Sequence, residues 1–340
     1  MLWVIGLLAM LVASLAFEAR IEARMTSYYR NRTKADFLAR SGLEIAELVM
    51  DKSQGLSGTD VDEEKAESDE WYMDAKHLSD GGEITIDHDL SKDGDGKGII
   101  HLKITPEPAL INVNMLTAKR GDQSDKRWEA IFEVAGIPEE KWAELIDAFY
   151  DWTDRDDDPR ADGAETDDYY ATLDKPYRAR NGPLDTIGEL RLIKGFSKAI
   201  VYGGDLNGDS TFKEDKIHCS GIADMLTTYG DGRINVNAAS QRVLMTLPGV
   251  DENMVQLIQE EREGWTDDDG TKHDESFKST SDFMSRIQDI DPAVKNMIST
   301  QSKIYRITST GEINGVTRSL WCIVRFSRSG LTVLRWREDD

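Results

Sequence analysis

The first 17 residues, Met1–Phe17, carry no charged side chain, and this apolar run continues into a charged segment without a break. A helix of that length spans about 25 Å, slightly less than the hydrocarbon core of a bilayer. From residue 18 to about residue 52 there is no proline, and Leu38, Ile45 and Val49 recur on one side at helical spacing. The pattern predicts one rod of about 50 residues, a membrane helix that becomes an amphipathic helix.

The start of the chain leaves three interpretations open. No lysine or arginine precedes the apolar run, although signal peptides and cytoplasmic anchors usually carry one. Either the true start lies upstream of Met1, or the orientation is set in another way. A cleaved secretory signal competes with both, with some support from the small residues of 13–16. A cleaved signal is rarely followed by a seamless amphipathic helix, so continuity favours an anchor.

Strand patterns lie on both sides of a long helical region. Residues 83–86 and 99–104 predict a hairpin, and 304–312, 317–326 and 331–336 alternate as strands near the C-terminus. The polar residues between 53 and 80 predict a loop. We therefore expect an α+β fold with four segments: a transmembrane and amphipathic helix (1–53), the first part of a β domain (54–110), an inserted helical domain (111–300) and strands completing the β domain (301–340).

The inserted region contains an internal repeat. Ile111-Asn112-Val113-Asn114 is echoed by Ile234-Asn235-Val236-Asn237, and each copy precedes a helix, a tight link and a second helix. This arrangement resembles the helix-hairpin-helix of SAM-like domains, which often grips DNA phosphates. The second copy is surrounded by acidic residues, including Asp251 and Glu252. We therefore expect a structural use of the motif.

Five carboxylates follow the first copy with the spacing of a calcium loop. Relative to the first of them they occupy positions 1, 3, 5, 9 and 12, the offsets at which an EF-hand loop supplies oxygen to Ca²⁺. They are Asp154, Asp156, Asp158, Asp162 and Glu165. Pro159 stands where an EF-hand needs its turning glycine. The pattern predicts a calcium-ordered loop that differs from a sensor EF-hand, and a solvated acidic loop is the alternative.

A second, weaker candidate site follows. Asp205, Asn207 and Asp209 occupy positions 1, 3 and 5 of a similar loop. The closing acid arrives at position 10 or 11, as Glu214 or Asp215, instead of position 12. Between the two acidic loops, Thr186 and Glu189 have the spacing of a capping box and predict a helix over 186–194.

Composition excludes several classes of function. Lysine and arginine total 41 against 64 acidic residues, a net charge of −23, so phosphate backbones would repel the chain. The two cysteines, Cys219 and Cys322, leave one disulfide possible and none required. The five histidines have no zincin spacing, and there is no nucleophile elbow. The clustered carboxylates have the spacing of ligands more than that of an acid–base pair.

Four features together resemble the minor pseudopilin K family of type II secretion systems (general secretion pathway protein K). They are the apolar start that runs into a long helix, Asp151-Trp152-Thr153-Asp154 through Gly163-Ala164-Glu165, Tyr177 through Asn181-Gly182-Pro183-Leu184 into Glu189-Leu190, and Ile234–Asn237 before Leu247-Pro248-Gly249. The resemblance extends over nearly the whole chain. Its middle two features are the specific ones.

The resemblance implies a pilin-like fold, a long N-terminal helix on an antiparallel sheet, with a large helical insertion that contains structural calcium sites. It also implies a single-pass inner-membrane protein whose bulk lies in the periplasm. Such a protein would stand at the pseudopilus tip with minor pseudopilins I and J, together with other pseudopilins. Its function would be to support protein export across the outer membrane. Carried over by position, the calcium ligands would be the five carboxylates above and, more weakly, Asp205, Asn207 and Asp209. Pilin-like proteins usually begin after a basic leader, which is not visible here. Most also carry an early acidic residue in the apolar helix; the K family typically lacks it, and this chain has none before Glu18.

Two other functions compete with this assembly role. The helix-hairpin-helix echo suggests a membrane-anchored DNA-binding protein of the competence type, which the net charge opposes. A calcium-dependent hydrolase is the third possibility, and it lacks any recognisable catalytic motif. We therefore expect a structural and assembly protein that is not an enzyme and binds no nucleic acid.

Overall fold

The structure, a computed structural model, describes residues 2–55, 83–89, 97–117, 122–206, 217–263, 265–266, 272–273, 275–327 and 330–339. The chain divides into two units. The first unit comprises residues 1–105 and 306–340, and the second comprises Pro106–Tyr305. The second unit thus begins five residues before the predicted boundary at 111 and ends five residues after the predicted one at 300. The predicted loop over 53–80 lies mostly outside the described residues.

The first unit begins with helix α1, Leu2–Gly55, 54 residues long. Within the described residues α1 is the one helix long and apolar enough to cross a membrane, and its most apolar window is wholly exposed. Farther along, the side chains of Ala35, Leu38, Ala39, Ala46 and Val49 are buried. The single rod predicted from the sequence is therefore present, with an exposed apolar half and a half that packs on the protein.

The buried half of α1 lies against a five-stranded sheet. Its strands are β1 (Glu83–Asp89), β2 (Lys97–Pro106), β11 (Ile304–Ile313), β12 (Val316–Ser327) and β13 (Gly330–Asp339). The spatial order is β1-β2-β11-β12-β13, and the pairs β1–β2 and β12–β13 are antiparallel. In β11 every second residue from Tyr305 to Ile313 is buried, which is the alternation that the sequence predicts for a sheet with one covered face. The turn between β11 and β12 places Asn314 and Gly315 at positive φ.

Small residues let α1 approach the sheet closely. A Cβ atom added at Gly311 on β11 would lie 2.1 Å from the carbonyl oxygen of Ala35 and 2.7 Å from the amide nitrogen of Ala39. A Cβ atom added at Gly42 would lie 2.0 Å from Oγ of Ser309. Any larger side chain at either glycine would therefore push helix and sheet apart.

The second unit is the helical insertion. Its α-helices are α2 (Val113–Thr117), α3 (Asp122–Ala135), α4 (Trp142–Thr153), α5 (Lys198–Tyr202), α6 (Gln241–Leu244), α7 (Glu252–Arg262) and α8 (Thr280–Arg286). Its two-residue strands are β3 (Ile111–Asn112), β4 (Gly204–Asp205), β5 (His218–Cys219), β6 (Leu226–Thr227), β7 (Ile234–Asn235), β8 (Trp265–Thr266), β9 (Lys272–His273) and β10 (Ile298–Ser299). Aromatic rings fill the centre, with the ring of Trp128 4.7 Å from that of Phe149 and 5.3 Å from that of Phe132.

The two Ile-Asn-Val-Asn segments make the same kind of contact. Each begins in a short parallel pair, β3 with β6 and β7 with β10. Asn114 donates to the carbonyl of Leu184 and accepts from its amide, at 2.9 and 2.8 Å. Asn237 does the same with Phe277, at 3.0 and 2.9 Å. Each second asparagine therefore holds a distant loop by both backbone groups of one residue. The likeness of the whole copies to helix-hairpin-helix domains stays a prediction.

The helix predicted over 186–194 takes another form. Thr186 and Glu189 make the expected capping box, but the segment Ile187–Leu192 is a 3₁₀ helix, and Ile193 is already extended. Leu190 and Ile193 are buried, and Gly195 follows at a φ of 83°. Two inward residues three positions apart suit a 3₁₀ turn, which a six-residue segment adopts more readily than a longer one.

Gly42→Ala is expected to lower the melting temperature of the full-length protein in detergent. In an exposed helix this change is stabilising by roughly 0.5–1 kcal/mol, whereas here overpacking against Ser309 should cost about 1–3 kcal/mol. Differential scanning fluorimetry measures the shift. Gly6→Ala is the matched control, because a Cβ atom at Gly6 meets no atom within 4 Å.

Adding Ser309→Ala to Gly42→Ala removes the oxygen that the new methyl group would meet. The double variant should regain part of the lost stability. Equal stability of Gly42→Ala and wild type would show that helix and sheet are not in close contact at this point.

Candidate metal centre

The acidic loop leaves the C-terminal end of α4. One face of this helix is apolar and packs inward: Leu145, Ile146 and Phe149 are buried and Trp142 is half-buried. The helix ends at Asp154, which is extended at ψ −172° and whose amide still bonds to the carbonyl of Tyr150 at 2.8 Å. This hydrogen bond therefore fixes the direction in which the loop leaves the last turn of α4.

Asp151, in that last turn, holds the loop against the helix. Its side chain is fully buried, and Oδ2 accepts hydrogen bonds from the backbone amides of Arg160 at 3.1 Å and Ala164 at 2.8 Å. Burial raises the pKa of Asp151, and the two amide hydrogen bonds oppose that shift. One carboxylate therefore ties two points of the loop, nine and 13 residues farther on.

Gly163 is required at the point where the loop crosses Asp151. A Cβ atom at this position would lie 1.8 Å from Oδ2 and 2.7 Å from Cγ of Asp151. The loop backbone can therefore reach the carboxylate only through a residue without a side chain.

Glu165 is the most constrained carboxylate of the loop. Its side chain is 1 % exposed, and neither Oε1 nor Oε2 has a hydrogen-bond partner. Burial, followed by the negative charges of Asp151, Asp154 and Asp157, raises the pKa of Glu165 to about 7. A buried carboxylate with no donor on either oxygen is costly, so the position selects either a proton or a cation.

Asn181 contacts the acidic loop through Asp157. It lies at a φ of 50°, and its amide bonds to the carbonyl of Trp152 at 3.0 Å. Its Nδ2 donates to Oδ1 of Asp157 at 2.9 Å, while its own Oδ1 is buried and accepts no hydrogen bond. Asparagine tolerates positive φ better than most residues, which accounts for this residue type at the position.

We call the set Asp151, Asp154, Asp157, Glu165 and Asn181 the carboxylate cage. Its oxygens are the hard ligands that Ca²⁺ takes, and those of Glu165, Oδ1 of Asn181 and Oδ1 of Asp151 lack hydrogen-bond donors. Among the described residues no three Asp, Glu, His or Cys side chains stand close enough to hold a metal ion as they are. The cage therefore fits a calcium ion chemically, and closure around the ion requires the carboxylates to move together.

The five carboxylates predicted as ligands are distributed unevenly. Asp154 and Glu165 belong to the cage. Asp156 and Asp158 are exposed, and the amide of Asp158 lies 3.4 Å from Oδ1 of Asp156. Asp162 is also exposed, and its amide donates to Oδ2 of Asp147 at 3.2 Å. EF-hand counting did not identify Asp151, Asp157 and Asn181, although Asp151 and Asp154 share one helix face at i, i+3 spacing.

Two cations of the chain border the loop. The Arg160 guanidinium lies 3.6 Å from Asp147 and 3.9 Å from Oδ1 of Asp151, above the ring of Tyr150. Lys194 donates to the backbone carbonyls of Asp162 and Gly163 at 3.1 and 3.0 Å. Both side chains hold the rim of the loop, and none of these contacts is with Glu165.

The second candidate site is only partly described. Asp205 pairs with His218, whose Nδ1 lies 3.2 Å from its Oδ1. Asn207 and Asp209 lie outside the described residues, so the second calcium site stays a prediction.

Comparison with known proteins gives matches over this region and beyond it. The family model "Type II secretion system (T2SS), protein K" matches residues 109–202, which include the whole cage. Type II secretion system protein K of Pseudomonas aeruginosa is 27% identical over 282 residues, 80% of this chain and 74% of that protein. The protein K of Klebsiella pneumoniae is 30% identical over 109 residues, 30% of this chain and 33% of that protein.

A solved structure has the same fold. A chain of the crystal structure of the GspK-GspI-GspJ complex from the enterotoxigenic Escherichia coli type 2 secretion system matches with a TM-score of 0.61 and 16% identity. The match covers 94% of this chain and 99% of that one. The exposed apolar helix and the sheet on which it packs form a pilin-like fold. In sequence, the chain is similar to type II secretion system protein K, both in the family model over residues 109–202 and in the relative matched over 80% of the chain.

Replacing the buried charge gives a pH-dependent prediction. Because the pKa of Glu165 is raised from 4.5 to about 7, ionisation of this group costs stability as pH rises through that interval. In the presence of a chelator, Glu165→Gln should match wild type at about pH 5 and exceed its melting temperature at about pH 8.

Glu133→Gln is the control for that comparison, because Glu133 is exposed on α3 and loses the same charge. Its melting curve should follow wild type at both pH values. A Glu165→Gln variant that is less stable than wild type at high pH in chelator would show that the Glu165 charge is already compensated within the protein.

Proposed function

We propose that this protein is a minor pseudopilin of a type II secretion system, placed at the pseudopilus tip with the minor pseudopilins I and J. The match to protein K over 80% of the chain carries the proposal. The shared fold with a chain of the GspK-GspI-GspJ complex supports the choice of partners. In this role the protein supports protein export across the outer membrane.

Its proposed location follows from the first helix. Residues 3–17 of α1 are exposed and apolar, whereas the insertion is rich in acidic side chains. Charged residues are costly at the bilayer centre, so the apolar end is the part that enters a membrane. We assign the apolar N-terminal part of α1 to the inner membrane and both folded units to the periplasm.

The proposed cofactor is a structural calcium ion in the carboxylate cage. A cation there would neutralise the charge that Asp151, Asp154, Asp157 and Glu165 concentrate around a buried position, and would fix the acidic loop against α4. In this proposal calcium acts on stability alone. The protein has a structural and assembly role without enzymatic activity, which is supported by its similarity to protein K.

The contacts at α7 argue against the DNA-binding alternative. A helix-hairpin-helix binds phosphate with free amides at a helix N-terminus. Here Oδ1 of Asp251 accepts the amide of Met254 at 2.8 Å and caps α7. A carboxylate at this end occupies the anion position and repels a phosphate.

Calcium is expected to raise the melting temperature of the wild-type protein. A ligand at about 100 times its dissociation constant stabilises by about 2.7 kcal/mol. Glu165→Gln and Asp151→Asn should lose most of that calcium-dependent shift, as measured by scanning fluorimetry with calcium or chelator.

Asp156→Ala combined with Asp158→Ala separates the two ligand sets. The cage predicts that this exposed pair keeps the calcium-dependent shift, whereas EF-hand spacing predicts its loss. A wild-type protein whose melting temperature ignores calcium would remove the metal from the proposal.

The tip assignment predicts a defined assembly. The full-length protein, co-purified in detergent with the I and J pseudopilins of the same organism, should give a 1:1:1 complex by native mass spectrometry. A strain lacking the gene should retain secreted proteins in the periplasm, and the wild-type gene should restore their export. Failure of both complex formation and complementation would contradict the assignment, whatever calcium does.

A further inference from the structure

The C-terminal strands have a charge opposite to that of the rest of the chain. Residues 306–340 contain six basic residues, all of them arginine, and four acidic ones, in a chain whose net charge is −23. Arginine presents a planar fork that binds carboxylates in bidentate fashion, and together with tryptophan it is enriched in the residues that dominate protein interfaces. The absence of lysine from this stretch therefore points to recognition more than to solubility.

Three of these arginines form a cluster with Trp321 across three neighbouring strands. Trp321 on β12 stands between Arg306 of β11, whose Cζ lies 5.2 Å from the ring centroid, and Arg335 of β13, at 6.0 Å. Arg337 is the register partner of Trp321, so its side chain leaves the sheet on the same face. We call Arg306, Trp321, Arg335 and Arg337 the arginine–tryptophan face.

This face adjoins an open edge. β13 is ten residues long and pairs with β12 on one side, and no described strand pairs with its other side. Val333 and Trp336 on β13 are 48% and 40% exposed. A long edge strand with exposed apolar residues is a ready template for another strand, and peptides often bind by such strand addition.

Distance from the membrane distinguishes a polypeptide from lipid as the occupant. Arg40 of α1 lies 2.8 Å from Glu338 and 6.0 Å from the Trp336 ring, so the end of β13 is level with Arg40. Arg40 is 23 residues beyond Phe17, where the apolar run ends, which corresponds to about 35 Å along the helix. Lipid headgroups at that distance are beyond the Debye length of about 8 Å.

We propose that the arginine–tryptophan face and the free edge of β13 form a docking surface for an acidic, extended segment of a partner protein. Its backbone would extend the sheet at β13, and its alternate carboxylates would meet the guanidinium groups of Arg335 and Arg337. The surface lies in the pilin-like unit, and it depends neither on the carboxylate cage nor on the identity of the tip partners.

Peptide binding to the full-length protein tests this proposal. Fluorescence anisotropy would follow a labelled ten-residue peptide of alternating Thr and Glu, with the Thr–Gln peptide of the same length as its neutral match. The protein would be kept in uncharged detergent with a chelator, so that calcium cannot bridge carboxylates. The Thr–Glu peptide should bind wild type, and Arg306→Gln with Arg335→Gln should weaken binding by about tenfold or more, because charge-assisted hydrogen bonds are lost.

Arg155→Gln with Arg178→Gln is the matched control, since both arginines are exposed in the insertion and the same charge is removed. It should bind the acidic peptide like wild type. Arg335→Lys covers the case in which the double variant fails to fold; it keeps the charge and should still bind several-fold more weakly, because bidentate geometry is lost.

Three results would overturn the proposal. They are equal binding of the Thr–Glu and Thr–Gln peptides, unchanged affinity in both Arg306→Gln/Arg335→Gln and Arg335→Lys, and, in place of peptide binding, a preference for phosphatidylglycerol over phosphatidylcholine nanodiscs that Arg306→Gln/Arg335→Gln abolishes. The last result would assign the face to anionic lipid.

Discussion

The acidic loop of the insertion depends on one buried carboxylate. Asp151 accepts the amides of Arg160 and Ala164 from the last turn of α4, and Gly163 gives the loop backbone access to it. These bonds draw the loop inward and carry Glu165 into a position where its oxygens have no donor. The hydrogen bonds of Asp151 that fix the loop therefore also bury the carboxylate of Glu165 without a compensating donor.

Different kinds of interaction stabilise the interior of each of the two units. In the pilin-like unit, Gly42 and Gly311 allow α1 to lie directly on the sheet, so stability there rests on close apolar packing. In the insertion, Asn114 and Asn237 each bind a distant loop through two backbone hydrogen bonds, and the cage adds an electrostatic tie. A structural cation would stabilise the insertion in particular, because a ligand that bridges distant points of a long loop gives a large gain in stability.

Local patterns predicted the regular elements well. The long helix, the hairpin around residues 83–104 and the strands after Ile304 follow from periodicity, because each buries one face. The 3₁₀ form of residues 187–192 was not evident, since a capping box begins either kind of helix. The partnership of Asp157 with Asn181 could not be counted from the sequence, because it joins residues 24 positions apart through a positive-φ asparagine. EF-hand spacing pointed to the loop that contains the carboxylate cage, but the tertiary fold places Asp151 and Asp157, not Asp156 and Asp158, around Glu165. Calcium binding in this loop stays a proposal.

Anomalous diffraction from crystals grown with calcium would locate the ion directly among the carboxylates of the loop. We expect a cation about 2.3–2.6 Å from oxygens of Glu165, with Asp151, Asp154 or Asn181 completing the shell. A cation bound by Asp156 and Asp158 without Glu165, or no cation in this loop at saturating calcium, would contradict it.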